Sequence, residues 1–252
     1  MISILQNYIC TNDQRLNLIK SYFPGWKKQF ASYKFFVNYN HTLNYDVIKN
    51  LYKEYIPNYE LCNDLEKDWG KTTLRLVEKI DTKYILVLIE DFEIVNVELD
   101  YFDNAVKEMN DSSCNYALMH KLKKYLTESF KKNYEEKKFI YTCEWNKYPA
   151  ACMSIVGIFE TQLLKKILNH YISQDRMRGF SQSSSIHGIH TPNNFEDFYS
   201  TWNNNYIKVG LPYYLKQFNT ELKVAIPKRE VILHNEGEQS IKQREVFADR
   251  IN

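Results

Sequence analysis

At 252 residues the chain can bury a sizeable core, and with 7 Gly, 6 Pro and no Pro/Ser/Gly-rich divider nothing marks a second folding unit. A hydrophobic share of 44% with 25% charged residues excludes a disordered chain. A net charge of +2, from 33 basic and 31 acidic side chains, supplies no overall field to attract a polyanion, so no nucleic-acid partner is expected.

Five widely spaced cysteines (Cys10, Cys62, Cys114, Cys143 and Cys152) contain no CxxC pair, which removes a zinc knuckle or redox motif. No apolar stretch approaches the ~18 residues of a membrane span, so no transmembrane segment is expected. Without a signal-like N-terminus, a reduced, cytoplasmic protein follows. Tyrosine is abundant, at 20 residues. It can line a sugar site, but an A/T-rich coding bias accounts for it as well.

In chain order, Ile2 to Cys10 reads as a strand. Gln14 to Phe30 reads as a helix broken near Pro24-Gly25, and Tyr33 to Asn38 as a second strand. From Asn44, Val47, Leu51 and Tyr55 share one helical face until Pro57 stops the helix. Tyr59 to Cys62 is a short strand, Asn63 to Gly70 a polar loop, and Lys71 to Ile80 a helix with Thr73, Leu76, Val77 and Ile80 inward. Tyr84 to Ile89 is apolar on both faces, as a central parallel strand covered by helices must be.

The second half is more mixed. Asp100 to Met109 reads as a helix, and Tyr116 to His120, Phe139 to Trp145 and Ala151 to Ile158 as strands. A helix carrying Leu163, Leu164, Ile167, Leu168 and Tyr171 follows. The basic stretch from Lys121 to Lys138, broken by Glu128, Glu135 and Glu136, reads as a solvated helical face. Arg176 to Asn194 is a long polar loop of the kind that serves as a lid, and Phe195 to Phe218 is helical in part. Glu221 to Ile226 and Glu230 to Leu233 are final strands before a charged tail, Gln239 to Asn252. The predicted fold is α/β and Rossmann-type: a mostly parallel central sheet flanked by helices, with a mixed C-terminal part.

In such sheets ligands lie outside the carboxyl ends of the strands. Glu90, Asp91 and Glu93 stand at one such end, directly after the most apolar strand. Two carboxylates one residue apart can hold a hard cation, Mn2+ or Mg2+, that keeps positions open for phosphate oxygens. Spacing alone also fits an acidic turn. The surrounding order adds to it: Asp68-Trp69-Gly70-Lys71, a helix, then Lys83 through Glu93.

That order resembles the GT-A glycosyltransferases of the family 2 kind, with Asp91-Phe92-Glu93 as their DxD motif in D-x-E form. The resemblance covers residues 1–110 and, more loosely, Ala151 to Leu168. It implies one GT-A-like domain over residues 1–252, with a nucleotide-binding half (1–110) and an acceptor half with a tail (111–252). It also implies transfer of a sugar from a nucleotide-diphosphate-sugar donor to a glycan or small-molecule acceptor, as in polysaccharide biosynthesis, with Mn2+ or Mg2+ assisting diphosphate departure.

By position, the resemblance puts Thr11, Arg15, Asn38, Asp64, Gly70, Lys71, Glu90 and Asp91 around the donor, and Asp91, Glu93 and His234 on the metal. His187 and His190 are the alternative histidines, and Glu196 and Glu160 the candidate bases. Two other readings stay open. One is a sugar-phosphate nucleotidyltransferase, although Cys10-Thr11-Asn12-Asp13 lacks the glycine-rich phosphate loop expected there. The other is a GT-A-like binding module without turnover.

Overall fold

The computed structural model describes residues 2–8, 13–39, 45–62, 69–89, 92–95, 98, 100–119, 131–144, 156–173, 222–229 and 231–234. The first strand, β1 (Ile2–Asn7), is buried along its whole length, and so is all but the last residue of β4 (Tyr84–Ile89). Strands buried on both faces need helices on both, and the chain supplies them by alternation.

After β1 come α1 (Asp13–Gln29), β2 (Phe35–Asn38), α2 (Tyr45–Tyr55), β3 (Tyr59–Cys62) and α3 (Trp69–Glu78), which leads into β4. Beyond β4 lie β5 (Phe92–Ile94), α4 (Tyr101–Asp111), β6 (Tyr116–Leu118), β7 (Glu135–Glu136) and β8 (Ile140–Glu144). The described chain ends with β9 (Gly157–Glu160), α5 (Thr161–Ser173), β10 (Lys223–Pro227) and β11 (Ile232–His234).

Nine strands form one sheet in the order β3-β2-β1-β4-β9-β6-β10-β8-β7, and β5 pairs with β11 in a separate ribbon. Strands β1 to β4 are mutually parallel. Only β9 and β8 run against the rest, so the sheet is mixed but mostly parallel. The chain winds outward through β2 and β3, then crosses back to β4 on the other side of β1. That reversal puts α1 and α2 on one face and α3 on the other, where it packs against α5.

The α1–α2 face is an aromatic core. Phe23 meets Trp26 at 5.2 Å and Tyr52 edge-on at 5.1 Å, and Phe30 reaches Phe102 of α4 at 6.1 Å. This burial corrects the expected break in the first helix: α1 runs unbroken through Pro24. Pro24 and Gly25 lie on its exposed side, while Leu16, Ile19, Phe23 and Trp26 hold the buried side to the sheet. Tertiary packing offsets the lost helical hydrogen bond.

One further correction concerns the second half: Glu135 and Glu136 form an edge strand against β8, not part of a solvated helix. Of the strand expected at Ala151 to Ile158, residues 151–155 lie outside the described residues, and β9 runs from Gly157 to Glu160 between β4 and β6. Glu108 of α4 secures the turn into β8, accepting hydrogen bonds from the backbone N–H groups of Lys138, Phe139 and Ile140 at 3.0, 2.9 and 3.2 Å.

Gly157 allows β9 to enter the sheet. A Cβ there would stand 2.5 Å from the Ala117 carbonyl oxygen of β6, a backbone atom that cannot move aside without disturbing the ladder. Gly157→Ala is expected to lower unfolding free energy by about 1–3 kcal/mol, the ordinary cost of overpacking a closed core. Urea denaturation against the parent chain measures it.

Candidate active site

The switch in winding direction falls between β1 and β4. In open sheets of this kind a ligand crevice lies outside the carboxyl ends at such a point, here those of β1, β2 and β4. Those ends are level: Asn7 of β1 pairs with Asn38 on one side and Ile89 on the other. Asn7 and Asn38 are each 1% exposed, and Thr73 of α3, also 1% exposed, lies against both. Asn38 Nδ2 donates to Thr73 Oγ1 at 3.4 Å, and Thr73 Oγ1 donates to Asn7 Oδ1 at 3.5 Å. The expected donor residue Asn38 therefore lies in the floor, where its side chain ties two strand ends to α3.

On the other face Tyr8 and Tyr52 share a hydrogen bond at 3.0 Å between their hydroxyls. Burial pushes the Tyr52 phenol far above its ordinary range, so it stays protonated. At the rim, Tyr39 stacks on Tyr45 with ring centroids 6.1 Å apart and planes inclined by 20°. Burial, then the neighbouring Cys62, Tyr45 and Asp46, raises the Tyr39 phenol as well.

The first turn of α3 points its backbone N–H groups toward this end of the sheet. Gly70 is its buried second residue and Lys71 its exposed third. Such a turn favours a phosphate, and an ammonium group beside it adds charge. Arg15 stands half-buried in the first turn of α1, just after the loop leaving β1.

Of the expected acidic motif, Phe92 and Glu93 lie in strand β5. Phe92 and Ile94 of β5 are buried, and alternation turns the half-buried Glu93 the other way. Strand β11 runs antiparallel beside it: Ile232 is opposite Ile94, Leu233 opposite Glu93 and His234 opposite Phe92. The Val95 N–H also donates to the Val231 carbonyl at 3.0 Å. The backbone of His234 thus returns to the start of the acidic strand, one step out of phase with Glu93.

Glu160 is elsewhere. It pairs with Tyr84 at the amino end of β4 and accepts a hydrogen bond from Asn115 Nδ2 at 2.9 Å. Five residue steps of strand, about 17 Å at ~3.3 Å per residue, separate that end from the crevice. The reading of Glu160 as a catalytic base is corrected: it is a strand-end residue on the far edge. Thr11, Asp64, Glu90, Asp91, Glu196, His187, His190 and the loop from Arg176 to Asn194 lie outside the described residues.

Sequence reasoning missed Asn7, Thr73 and the β5–β11 ribbon. Asn7 carried a signal, because Gln6-Asn7 ends an apolar run with two amides. Both are buried, a sign that the strand end supports something polar. The pairing of β11 carried none, since its partner lies more than a hundred residues earlier.

No protein-family model matches the sequence, and no curated protein resembles it. Solved structures do. The crystal structure of S. aureus TarS aligns with 99% of this chain and 39% of its own, at 11% identity and a TM-score of 0.52. TarS 1-349 in complex with UDP-GlcNAc aligns with 65% of this chain and 47% of its own, at 13% identity and a TM-score of 0.44. UDP-glucose pyrophosphorylase complexed with UDP-glucose aligns over 99% and 100%, at 10% identity and a TM-score of 0.41. The chain spans less than half the length of the TarS structures it matches. The fold is GT-A-like, an α/β fold on a mixed, mostly parallel sheet. Among the described residues, no helix is long and apolar enough to cross a membrane.

The buried floor can be tested apart from any activity. Thr73→Val keeps the shape and removes the shared hydroxyl, and is expected to cost about 1–2 kcal/mol of stability. Thermal and urea unfolding measure the loss; a variant as stable as its parent would remove Thr73 from the support of the crevice.

Proposed function

We propose that the chain is a glycosyltransferase that moves a sugar from a nucleotide-diphosphate-sugar donor to a glycan or small-molecule acceptor. The observation that carries this reading is the pairing of β5, the next strand after β4, with β11. A fully apolar strand ends at the switch-point crevice, and the acidic strand that follows is bound to a late strand ending in His234.

Each part has a chemical task. The flat Tyr39–Tyr45 step offers a face for a planar ring, and the α3 N-terminus with Lys71 suits the diphosphate. Asp91 and Glu93, one residue apart, would supply the oxygen donors that suit Mn2+ or Mg2+, and the cation would neutralise charge on the departing diphosphate. His234 pairs with Phe92 rather than with Glu93 and is left out of that set. Transfer forms a bond from the acceptor hydroxyl oxygen to the anomeric carbon and breaks the bond from that carbon to the diphosphate oxygen. In an inverting reaction Glu196, the remaining base candidate, would take the hydroxyl proton. The segment from Arg176 to Asn194 would exclude water from the activated sugar.

Hydrolysis of a panel of UDP-, GDP-, CDP- and ADP-sugars with Mn2+ tests the reading. Turnover of one donor is expected, with release of the nucleoside diphosphate. Glu93→Ala should lower that turnover by about 100-fold or more, the scale of removing one group that stabilises transition-state charge. Its urea-unfolding midpoint is read beside the activity, so that loss of turnover can be told from loss of the fold. Nucleotide-sugar synthesis with pyrophosphate release, and no donor hydrolysis, would favour nucleotidyl transfer instead.

A further inference from the structure

The ribbon that carries the acidic strand has three residues on each side and stands outside the main sheet. A two-stranded ribbon of that size is marginal on its own. Phe92, Ile94 and Ile232 are buried on one side of it, which fixes the apolar face. Apolar burial is not directional, however, and does not by itself fix how far the strands slide or splay.

Arg229 supplies a directional contact. It lies two residues before Val231, so it governs how the chain enters β11. Its guanidinium group lies over the Tyr101 ring, 5.0 Å from the centroid, and forms an ion pair with Glu98. Glu98 lies on the chain leaving β5, and Tyr101 opens α4. The two are themselves joined, because the Tyr101 N–H donates to the Glu98 carbonyl at 3.0 Å.

The Tyr101 ring is 1% exposed and sits edge-on to Phe102 and Phe139, at 5.5 and 5.8 Å. The Lys228 N–H donates to the Phe139 carbonyl at 3.0 Å, holding the neighbouring residue to the same cluster. One side chain therefore connects the entry to β11, the exit from β5 and an anchored aromatic platform.

We propose that Arg229 is a positioning residue for the candidate metal and diphosphate site. By clasping Glu98 and Tyr101 it holds β11 in register with β5, and so sets where the acidic strand with Glu93 stands. This rests on the glycosyltransferase reading above. The contacts are half-exposed, so each is modest; a cation–π contact and an exposed ion pair together amount to about a tenfold shift in the opening of the ribbon. That is enough to change metal affinity while leaving the fold in place.

The test uses the full chain with Arg229→Ala, Arg229→Lys and Glu98→Gln. Amide hydrogen exchange is read at Val95, whose N–H donates to the Val231 carbonyl, with the β1–β4 ladder as internal control. Mn2+ binding is read from the free-ion electron paramagnetic resonance signal. Expected is about tenfold faster exchange in the ribbon alone for Arg229→Ala, with Mn2+ binding weakened by a similar factor. Lysine keeps the charge but loses the flat guanidinium, so Arg229→Lys should recover only part of both effects. Glu98→Gln should fall between parent and Arg229→Ala.

Unchanged exchange in both Arg229→Ala and Glu98→Gln would overturn the clasp. Faster exchange with unaltered Mn2+ binding would overturn the positioning role. A parent protein that binds no Mn2+ at all would overturn the functional reading on which this rests, a result distinct from either of the others.

Discussion

The parallel ladder between β1 and β4 is the constraint from which the site follows. Six residue pairs, from Ile2–Tyr84 to Asn7–Ile89, bring the carboxyl ends of the two strands to one level. Both strands are too apolar to lie at an edge, so each must be flanked and covered. Placing β2 on one side of β1 and β4 on the other forces the chain to reverse its winding. The reversal sets the level strand ends where such folds take ligands, and Asn7, Asn38 and Thr73 gather there. A one-residue slip in this ladder would turn each side chain of the slipped strand to the other face. Asn7 would then leave Thr73, and the start of the acidic strand would no longer stand level with the floor.

The two faces of the sheet do different work. The α1–α2 face is filled by rings at angles favoured by their quadrupoles, with Phe23 and Phe30 edge-on to their neighbours. The α3 face, by contrast, carries small polar groups, Asn7, Asn38, Thr72 and Thr73, all within 1% exposure. Much of the tyrosine and phenylalanine in the sequence is therefore core material. The residues that stiffen the crevice are short amides and hydroxyls, which composition does not advertise.

The alternation of strands and helices through residue 89 was legible in the sequence, because each element there either buries both faces or shows one helical stripe. Boundaries moved by a few residues where a polar residue could belong to either neighbour, as with Trp69 and Gly70 at the start of α3. Pro24 misled because helix propensity is local while the reward for continuing α1, the burial of Trp26 and Phe30, is tertiary. Glu160 misled for a related reason. Sequence puts it after a strand, but only pairing shows that β9 runs antiparallel to β4, so that its carboxyl end lies at the amino edge of the sheet. The acidic residues could be found from the apolar run before them. Their structural support could not, since it arrives from β11.

That dependence on β11 has a physical consequence for the fold as a whole. Strands β1 to β4 and their helices come from the first ninety residues and pair mostly with near neighbours in sequence. The remaining sheet is closed by β9, β6 and β10, with β10 drawn in from more than a hundred residues beyond β6. The same late segment then leaves the sheet at Pro227, passes Arg229 and reaches the acidic strand. Closing so long a loop costs entropy that only the final contacts return. The first ninety residues can therefore approach their own topology early, while the acidic strand gains its partner only when the C-terminal segment docks. In this architecture the candidate chemistry is assembled last, by the part of the chain farthest in sequence from the crevice it completes.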